Sequence, residues 1–325
     1  MDELLRRDII EVKKGSASWV SPLVVASKAN GSIRLCVDLR RVNQAVIRDR
    51  HPMPVIEDVL AKVGKGKIWS VLDVKDAFFL LELDEKTRDI TTFITHRGLY
   101  RFKRLPFGLV SAPEIFQRTM DEILADCECT YWYLDDIGVE GSTIEEHDLR
   151  LNNVVQKLNE KGVVLNWEKC KIRVTEFEFL GYKISSKGIM PSQIKRDTIK
   201  QFRRPVSESE VRSFLGLANY MGKFIPKLAE IDEPLRKLIQ KGNIFQWGPH
   251  EEKAFNEIKL VLSEVSSLGF FNINDRTSVF ADASPTALGA VLIQTNSHGE
   301  SRVVCYASKS LTDTEKRYCQ TEKEV

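Results

Sequence analysis

Two adjacent carboxylates between two strand-like runs constrain this chain more than any other feature. Asp135 and Asp136 lie between an aromatic run that begins at Tyr131 and an apolar run that ends at Val139. The pattern predicts a strand, a tight turn and a second strand, with the acidic pair at the tip of the hairpin. Neighbouring carboxylates repel each other and lose hydration inside a fold, so the pair is costly unless a cation neutralises it. Magnesium is the natural candidate because it prefers hard oxygen ligands.

A third carboxylate occurs upstream, near the end of another strand-like run. The run from Lys67 to Val74 is rich in β-forming residues and carries Asp73 near its end. If this strand end lies beside the hairpin tip, the three carboxylates can hold two metal ions about 4 Å apart. Such a site suits phosphoryl transfer, which needs little from the protein beyond positioning and charge. The alternative for the acidic pair is a solvated turn, and the alternative for Asp73 is an ordinary strand end.

A turn and a helix start lie between these two acidic segments. Pro106 and Gly108 indicate the turn, and Ser111 with Pro113 is typical of a helix start. A glycine-containing loop ahead of a helix would let a base pair approach the backbone closely. An ordinary surface loop is the alternative interpretation.

Taken in order, these segments resemble the reverse transcriptases of gypsy-class LTR retrotransposons, followed by the start of an RNase H domain. The resemblance depends on five blocks in the order and spacing of that family, at 35–40, 72–79, 105–113, 133–136 and 179–182. It implies an α+β fold of the right-hand polymerase type. The implied domains are fingers at 1–66, a palm at 67–185 with finger elements returning within 80–110, a thumb and connection at 186–268, and a truncated RNase H-like segment at 269–325.

The function implied by the resemblance is RNA-directed and DNA-directed DNA polymerisation. Two Mg²⁺ ions, with Mn²⁺ as a substitute, would promote nucleotidyl transfer from a dNTP to a primer 3′-hydroxyl. The implied partners are an RNA or DNA template with its primer, dNTPs and other segments of a retroelement polyprotein, and no membrane. The alternative hypothesis is a catalytically inactive retroelement relic that still binds nucleic acid.

The resemblance also assigns roles to individual residues of the polymerase site. The catalytic residues are Asp73, Asp135 and Asp136, and the same three carboxylates with the Val74 carbonyl are the metal ligands. The dNTP-binding residues are Lys28, Arg34, Asp76, Ala77 and Phe78, with Phe78 as the ring that excludes a ribose 2′-hydroxyl. The sequence departs from the family at Ala29, where a second lysine is usual, so the assignment of Lys28 rests on one lysine alone.

Further residues are assigned to the nucleic acid and to proton transfer. Phe107 and Gly108 match the template side of the pocket. The loop that grips the primer terminus is matched by Phe179, Leu180, Gly181 and Tyr182, for which a strand edge with a bulge at Gly181 is the structural alternative. Either Lys169 or Lys171 can serve as the general acid for pyrophosphate, and the sequence leaves both open.

The last part of the chain resembles the beginning of an RNase H domain. Asp282 matches the first carboxylate of that domain, and Glu324 matches the second. Because the sequence stops at Val325, the remaining carboxylates are missing from it, and we expect no nuclease activity from this polypeptide.

Charge and cysteine content add a few constraints. The formal net charge is only +2, but residues 191–241 contain eleven Lys or Arg and six Asp or Glu, which suits contact with a phosphate backbone. The six cysteines lack paired metal-ligand spacing, and neither a secretory leader nor a long apolar run is evident, so we expect reduced thiols in a cytoplasmic or nuclear protein. In the basic segment, Ser207 with Glu210 forms a capping box ahead of a helix. A further helix is expected from about Phe224 to Gln240.

Overall fold

The computed structural model describes residues 1–27, 33–48, 50–64, 66–240 and 242–324, with the side chains of all of these except 25–27, 33–35 and 324. The chain divides into two compact units. The first comprises residues 1–62 and 68–174, and the second comprises residues 63–67 and 175–325. Helices and mainly antiparallel sheets occur in both units, as expected for the α+β class.

The first unit contains five α-helices and nine strands among the described residues. The helices are α1 (Asp2–Arg6), α2 (Arg40–Ala45), α3 (Ile56–Lys62), α4 (Ala112–Leu124) and α5 (Ile144–Glu160). The strands are β1 (Ile10–Val12), β2 (Leu23–Ser27), β3 (Ile33–Val37), β4 (Ile68–Asp73), β5 (Phe93–Thr95), β6 (Gly98–Phe102), β7 (Thr130–Tyr133), β8 (Asp136–Gly141) and β9 (Lys171–Val174). Short 3₁₀ turns cover Ala77–Leu80 and Glu85–Thr91.

A four-stranded antiparallel sheet with the order β7-β8-β4-β9 forms the centre of this unit. Helices α4 and α5 pack on it through a core that includes Leu72, Phe116, Ile137 and Leu158. A second sheet has the order β1-β6-β5, and β2 pairs with β3 as a hairpin. Central strand β4 is therefore paired on both edges, which gives Asp73 at its end a fixed position.

Helix α5 shows how local sequence sets the element boundaries. The Thr143 side chain accepts a hydrogen bond from the backbone N–H of Glu146 and caps the N-terminus. The helix ends before Gly162, whose φ of 72° is the left-handed conformation usual after a helix C-terminus. Val154 and Leu158, four residues apart, bury the inner face.

The second unit contains six α-helices and six strands among the described residues. The helices are α6 (Gln193–Lys200), α7 (Glu208–Tyr220), α8 (Leu228–Ile231), α9 (Glu233–Leu238), α10 (Pro249–Ser263) and α11 (Gln320–Glu324). The strands are β10 (Glu176–Phe179), β11 (Tyr182–Ser185), β12 (Gly188–Pro191), β13 (Arg276–Ala283), β14 (Ala287–Thr295) and β15 (Ser301–Ser310). They form two antiparallel sheets, β10-β11-β12 and β13-β14-β15, and α8 packs on the second of these.

The continuous helix expected from Phe224 to Gln240 is absent. The segment instead forms a 3₁₀ turn at Gly222–Phe224 followed by α8 and α9. Proline explains the breaks, because it has no N–H to donate and its ring clashes with a preceding turn. Pro226 precedes Lys227, which has a left-handed φ of 52°, and Pro234 lies in the first turn of α9. By contrast, α7 starts at the predicted cap, where the Ser207 side chain accepts from the N–H of Glu210.

Along the described part of the chain, no helix combines the length and the apolar character needed to cross a bilayer.

Candidate active site

The acidic pair lies at the tip of a two-residue hairpin. Strands β7 and β8 pair with Tyr133 opposite Asp136, so the turn consists of Leu134 and Asp135. Leu134 has a φ of 53°, in the left-handed region that a leucine rarely adopts. That conformation costs about 1–2 kcal/mol for a residue with a Cβ atom. The tight turn therefore depends on contacts that hold Leu134 in place.

The upstream aspartate, Asp73, lies directly opposite Asp136 of the hairpin. Asp73 ends β4 and is the cross-strand partner of Asp136 on β8. Partners in an antiparallel pair have their Cα atoms about 5 Å apart and their side chains on the same face. The backbone N–H of Val74 donates to the Asp135 carbonyl, with 3.0 Å between N and O. The structure thus brings Asp73, Asp135 and Asp136 together.

The clustered carboxylates carry unbalanced negative charge. Burial, together with the charges of Asp135 and Asp73, raises the pKa of Asp136 to about 6. Lys169 offsets part of this charge, since its Nζ atom lies 3.4 Å from Oδ2 of Asp73. A divalent cation would neutralise the remainder, so the donor set fits a hard metal ion.

Among the described residues, no group of three or more His, Cys, Asp or Glu side chains already has the geometry of a metal site. Mg²⁺ does not require such a cage, because it is commonly bound by one or two carboxylates together with substrate phosphates. The arrangement therefore fits a site that is completed by substrate.

A cavity of about 630 Å³ opens beside Asp73 and Asp135. Asn166 and Lys169 line it on one side, and Phe79 and Phe107 contribute aromatic surface. Its mixture of charged and aromatic walls can accommodate a ligand that combines phosphates with a ring system.

The predicted sugar-gate residue, Phe78, packs against one ring of this aromatic wall. The ring of Phe78 packs against Phe107 and Phe116, with centroid separations of 4.9 and 5.7 Å. Phe79, rather than Phe78, is among the residues that line the cavity. The two neighbouring rings therefore have different access to the ligand space.

Asp76 and Ala77 follow Asp73 at the cavity wall. Asp76 has a left-handed φ of 52° and precedes the 3₁₀ turn that begins at Ala77. Its carboxylate forms an ion pair with Arg7, with 2.5 Å between Oδ2 and Nη2. Arg7 lines the same cavity, and no sequence pattern distinguishes it, because it is a single arginine just after the short helix α1.

The loop that carries Phe107 and Gly108 is fastened by Asn43. The Asn43 side chain donates to the carbonyl of Gly108 at 2.8 Å and accepts from the N–H of Val110 at 3.0 Å. Gly108 has a φ of 95°, which favours glycine. No local sequence pattern indicates this role of Asn43, because its partners are more than sixty positions away.

Of the other residues predicted from the sequence, Lys28 lies outside the described residues. For Arg34 on β3 and Glu324 on α11, the structure describes the backbone alone. Lys171, the other candidate acid, is on β9 opposite Val71.

In the second unit, the segment predicted to grip the primer forms a hairpin. Strands β10 and β11 pair with Phe179 opposite Tyr182, so Leu180 and Gly181 form the turn. Their φ angles of 49° and 75° are both left-handed, as in a type I′ turn. Gly181 is therefore a turn residue rather than a bulge. The Tyr220 hydroxyl donates to the Leu180 carbonyl, which holds the turn against the end of α7.

Asp282, the nuclease candidate, lies on β13 in this second unit. Its Oδ2 atom is 3.0 Å from Nζ of Lys227, and this hydrogen-bonded ion pair lowers the pKa of the carboxyl. Its side chain is 65% exposed, so the pair is a surface contact.

Family comparisons divide the chain into two matched regions. Residues 25–184 match the family described as reverse transcriptase (RNA-dependent DNA polymerase). Residues 247–325 match an RNase H-like domain found in reverse transcriptase.

Relatives include retrotransposon polyproteins. The Retrovirus-related Pol polyprotein from transposon 412 of Drosophila melanogaster is 35% identical over 100% of this chain and 27% of its own length. The Transposon Tf2-3 polyprotein of Schizosaccharomyces pombe is 31% identical over 97% of this chain and 24% of its own length. The chain thus spans about a quarter of each polyprotein.

Solved structures of foamy viral protease-reverse transcriptase share the fold. One, in complex with double-stranded DNA, has a TM-score of 0.90 and 26% identity over 99% of this chain and 56% of that one. Another, in complex with an RNA/DNA hybrid, has a TM-score of 0.85 and 26% identity over 99% of this chain and 43% of that one. The predicted fold class is confirmed. Residues 25–184 belong to the reverse transcriptase (RNA-dependent DNA polymerase) family, an RNase H-like domain found in reverse transcriptase follows at 247–325, and the whole chain is similar to part of gypsy-type LTR retrotransposon polyproteins.

Proposed function

We propose that this chain is itself an active DNA polymerase that copies RNA and DNA templates by two-metal nucleotidyl transfer. The observation that carries the proposal is the register of β4 and β8, which makes Asp73 and Asp136 cross-strand partners beside Asp135. Family membership supports the reaction class.

Asp73, Asp135, Asp136 and the Val74 carbonyl would hold the metal ions. When two Mg²⁺ ions, or Mn²⁺ ions in their place, are bound, they supply activation of the primer 3′-hydroxyl and neutralisation of the leaving pyrophosphate. The raised pKa of Asp136 supports the fit, because its burial among like charges favours any cation that replaces a proton. Lys169 is our choice for the general acid, since its ammonium group lies at Asp73 and lines the cavity.

The incoming dNTP would occupy the cavity beside Asp73. Backbone groups of Asp76 and Ala77 would contact the triphosphate, and the aromatic residues at 78 and 79 would limit space at the sugar. Lys28 and Arg34 enter this proposal from the family resemblance alone. Arg7 would keep Asp76 in its left-handed conformation through the ion pair between them.

An RNA or DNA template with its primer is the proposed partner. The solved structures of foamy viral protease-reverse transcriptase with the same fold contain double-stranded DNA or an RNA/DNA hybrid, which supports a nucleic-acid duplex as the ligand here. Within the second unit, the turn at Leu180 and Gly181 would contact the primer terminus. The proposed division of the chain into domains is fingers at 1–66, palm at 67–185, thumb and connection at 186–268, and RNase H-like segment at 269–325.

The test is extension of a labelled primer on an RNA template in Mg²⁺, repeated with a DNA template. The matched variant carries Asp135→Asn and Asp136→Asn, which keep the shape of both side chains and remove their charge. We expect extension by the parent chain and a loss of at least about 10³-fold in the variant, because the proposed metal ligands act as a unit. Equal incorporation by both proteins would overturn the proposal, and template binding without extension in Mg²⁺ or Mn²⁺ would favour the inactive relic.

A further inference from the structure

A glutamine on helix α4 reaches the strained turn of the acidic hairpin. Gln117 is 1% exposed. Its Oε1 atom accepts a hydrogen bond from the backbone N–H of Leu134, with 2.8 Å between N and O. Leu134 is the left-handed residue immediately before Asp135. The contact therefore joins the helix to the turn at its most strained residue.

The orientation of this glutamine is itself determined. Its Nε2 atom donates to Oδ1 of Asp121 at 2.9 Å, one helical turn further along α4. A backbone N–H can only donate and an ionised carboxylate can only accept, so only one orientation of the Gln117 amide satisfies both partners. Asp121 is held in turn by Trp132, whose Nε1 donates to Oδ1 at 2.7 Å, and by His51, whose Nε2 lies 2.7 Å from Oδ2.

We propose that Gln117, oriented by Asp121, is a positioning residue that holds Leu134 in its left-handed conformation and thereby aims Asp135 and Asp136 at their reacting partners. The inference rests on the proposed polymerase function. It adds a pair of residues that neither the sequence motifs nor the carboxylate geometry identified.

The physical reason lies in the cost of the turn. A residue with a Cβ atom prefers negative φ, so Leu134 tends to return to the extended region when nothing holds its amide. That change rotates the peptide that leads to Asp135 and displaces both carboxylates. Displacements of about 1 Å at a reacting centre can lower a rate by about 10²-fold. Loss of the acceptor would also leave a buried N–H unsatisfied.

The principal variant is Gln117→Met, which keeps a long unbranched side chain and removes the acceptor. Its matched control is Gln156→Met on α5, where the replaced amide donates to Glu160 at an exposed position. We expect Gln117→Met to lower kcat for single-nucleotide extension by about 10–100-fold while the Kd for primer–template stays within about twofold. The control should retain the parent rate.

Two readouts separate positioning from a purely structural role. The first is the Mg²⁺ concentration for half-maximal extension, which should rise severalfold in Gln117→Met because the ligands are misplaced. The second is a double-mutant cycle with Leu134→Gly, since glycine adopts the left-handed conformation without the Cβ penalty. The kcat loss caused by Gln117→Met should shrink to less than about threefold in the glycine background. An unchanged Mg²⁺ requirement together with an equal loss in both backgrounds would overturn the inference.

A third measurement does not depend on activity. Amide hydrogen exchange of the peptide spanning residues 131–137 should be faster in Gln117→Met than in the parent chain or in Gln156→Met. If the parent chain fails to extend primers while exchange accelerates as expected, the proposed function fails but the structural link stands. Unchanged exchange would reject the link whatever the activity. Should Gln117→Met not fold, Asp121→Ala serves as the second variant, because it keeps Gln117 and frees its amide to rotate.

Discussion

The Nζ atom of Lys169 lies 3.4 Å from Oδ2 of Asp73, so one of the three clustered carboxylates has a cationic neighbour. The segment around this lysine is fastened to the strand end at two points. The N–H of Asn166 donates to the Asp73 carbonyl at 2.8 Å, and the N–H of Asp73 donates to Sγ of Cys170 at 3.4 Å. The segment that carries Lys169 is thus hydrogen-bonded to the end of β4, where the Asp73 carboxylate lies.

Replacement of Lys169 by methionine should impair catalysis more than replacement of Lys171. Lys169 lies at the cavity with Asp73, whereas Lys171 pairs with Val71 along the strand edge. We expect Lys169→Met to lower kcat for nucleotide addition by about 10²-fold, which is at the low end of the rate losses that follow removal of a general acid. Lys171→Met should lower kcat less than threefold. Single-turnover extension over a range of pH measures both effects. A larger loss in Lys171→Met would transfer the proposed acid role to that residue.

Stability without divalent cations should depend on pH through Asp136. The folded-state pKa of about 6 is above the ordinary value of 3.8, so the folded state holds more protons than the unfolded state between these values. The free energy of unfolding therefore falls as pH rises from about 4 to 6 and stays lower above that range. Because water still reaches this partly exposed carboxyl, we expect a contribution of about 1 kcal/mol.

Asp136→Asn removes this titration. In the presence of a chelator, its free energy of unfolding should be about 1 kcal/mol higher than that of the parent at pH 8 and nearly equal to it at pH 4. Urea denaturation at both pH values measures the effect. The control is Asp58→Asn on the exposed face of α3, whose free energy of unfolding should equal that of the parent at both pH values. A variant that is less stable than the parent at pH 8 would contradict the charge argument.

The two neighbouring phenylalanines should affect sugar discrimination differently. Phe79 lines the cavity, whereas the ring of Phe78 packs on Phe107 and Phe116. If the family assignment of the gate is right, Phe78→Val should raise incorporation of ribonucleotides relative to deoxyribonucleotides by at least about tenfold, because the smaller side chain frees space for a 2′-hydroxyl. Phe79→Val is the matched comparison. A larger change in Phe79→Val, measured by competitive single-nucleotide incorporation, would move the gate to the ring that lines the cavity.

Gly138 on β8 should not tolerate alanine. A Cβ atom there would lie 2.0 Å from Cε2 of Tyr131, its cross-strand partner, and Tyr131 is 1% exposed. Because the buried ring cannot move aside freely, we expect Gly138→Ala to lower the free energy of unfolding by about 2–3 kcal/mol.

Gly216 provides the matched control for this substitution. It lies within α7, and beyond its chain neighbours and the backbone of its own helix no atom of the described residues lies within 4 Å of an added Cβ. Gly216→Ala should raise the free energy of unfolding by about 0.5–1 kcal/mol, since alanine has the higher helix propensity. Urea denaturation measures both variants, and equal effects of the two would contradict the packing argument at Gly138.

Sequence motifs predicted elements whose signals are local. The hairpin of β7 and β8 follows from two β-forming runs around two residues, and α7 starts at the cap predicted at Ser207. The prediction of one helix from Phe224 to Gln240 was wrong because Pro226 and Pro234 interrupt the helical hydrogen-bond pattern. Family blocks also named the polymerase class correctly, since several separated motifs had to agree in order and spacing.

Residue types and their spacing were enough to predict the resemblance to reverse transcriptases and the hairpin that carries Asp135 and Asp136. Only the tertiary structure decided that Asp73 is the cross-strand partner of Asp136, that Phe79 rather than Phe78 lines the cavity, and that Lys169 faces a carboxylate. It alone connected Gln117 and Asp121 to the strained Leu134. The physical reason is that strand register and side-chain packing depend on residues far apart in the chain, which local patterns do not record.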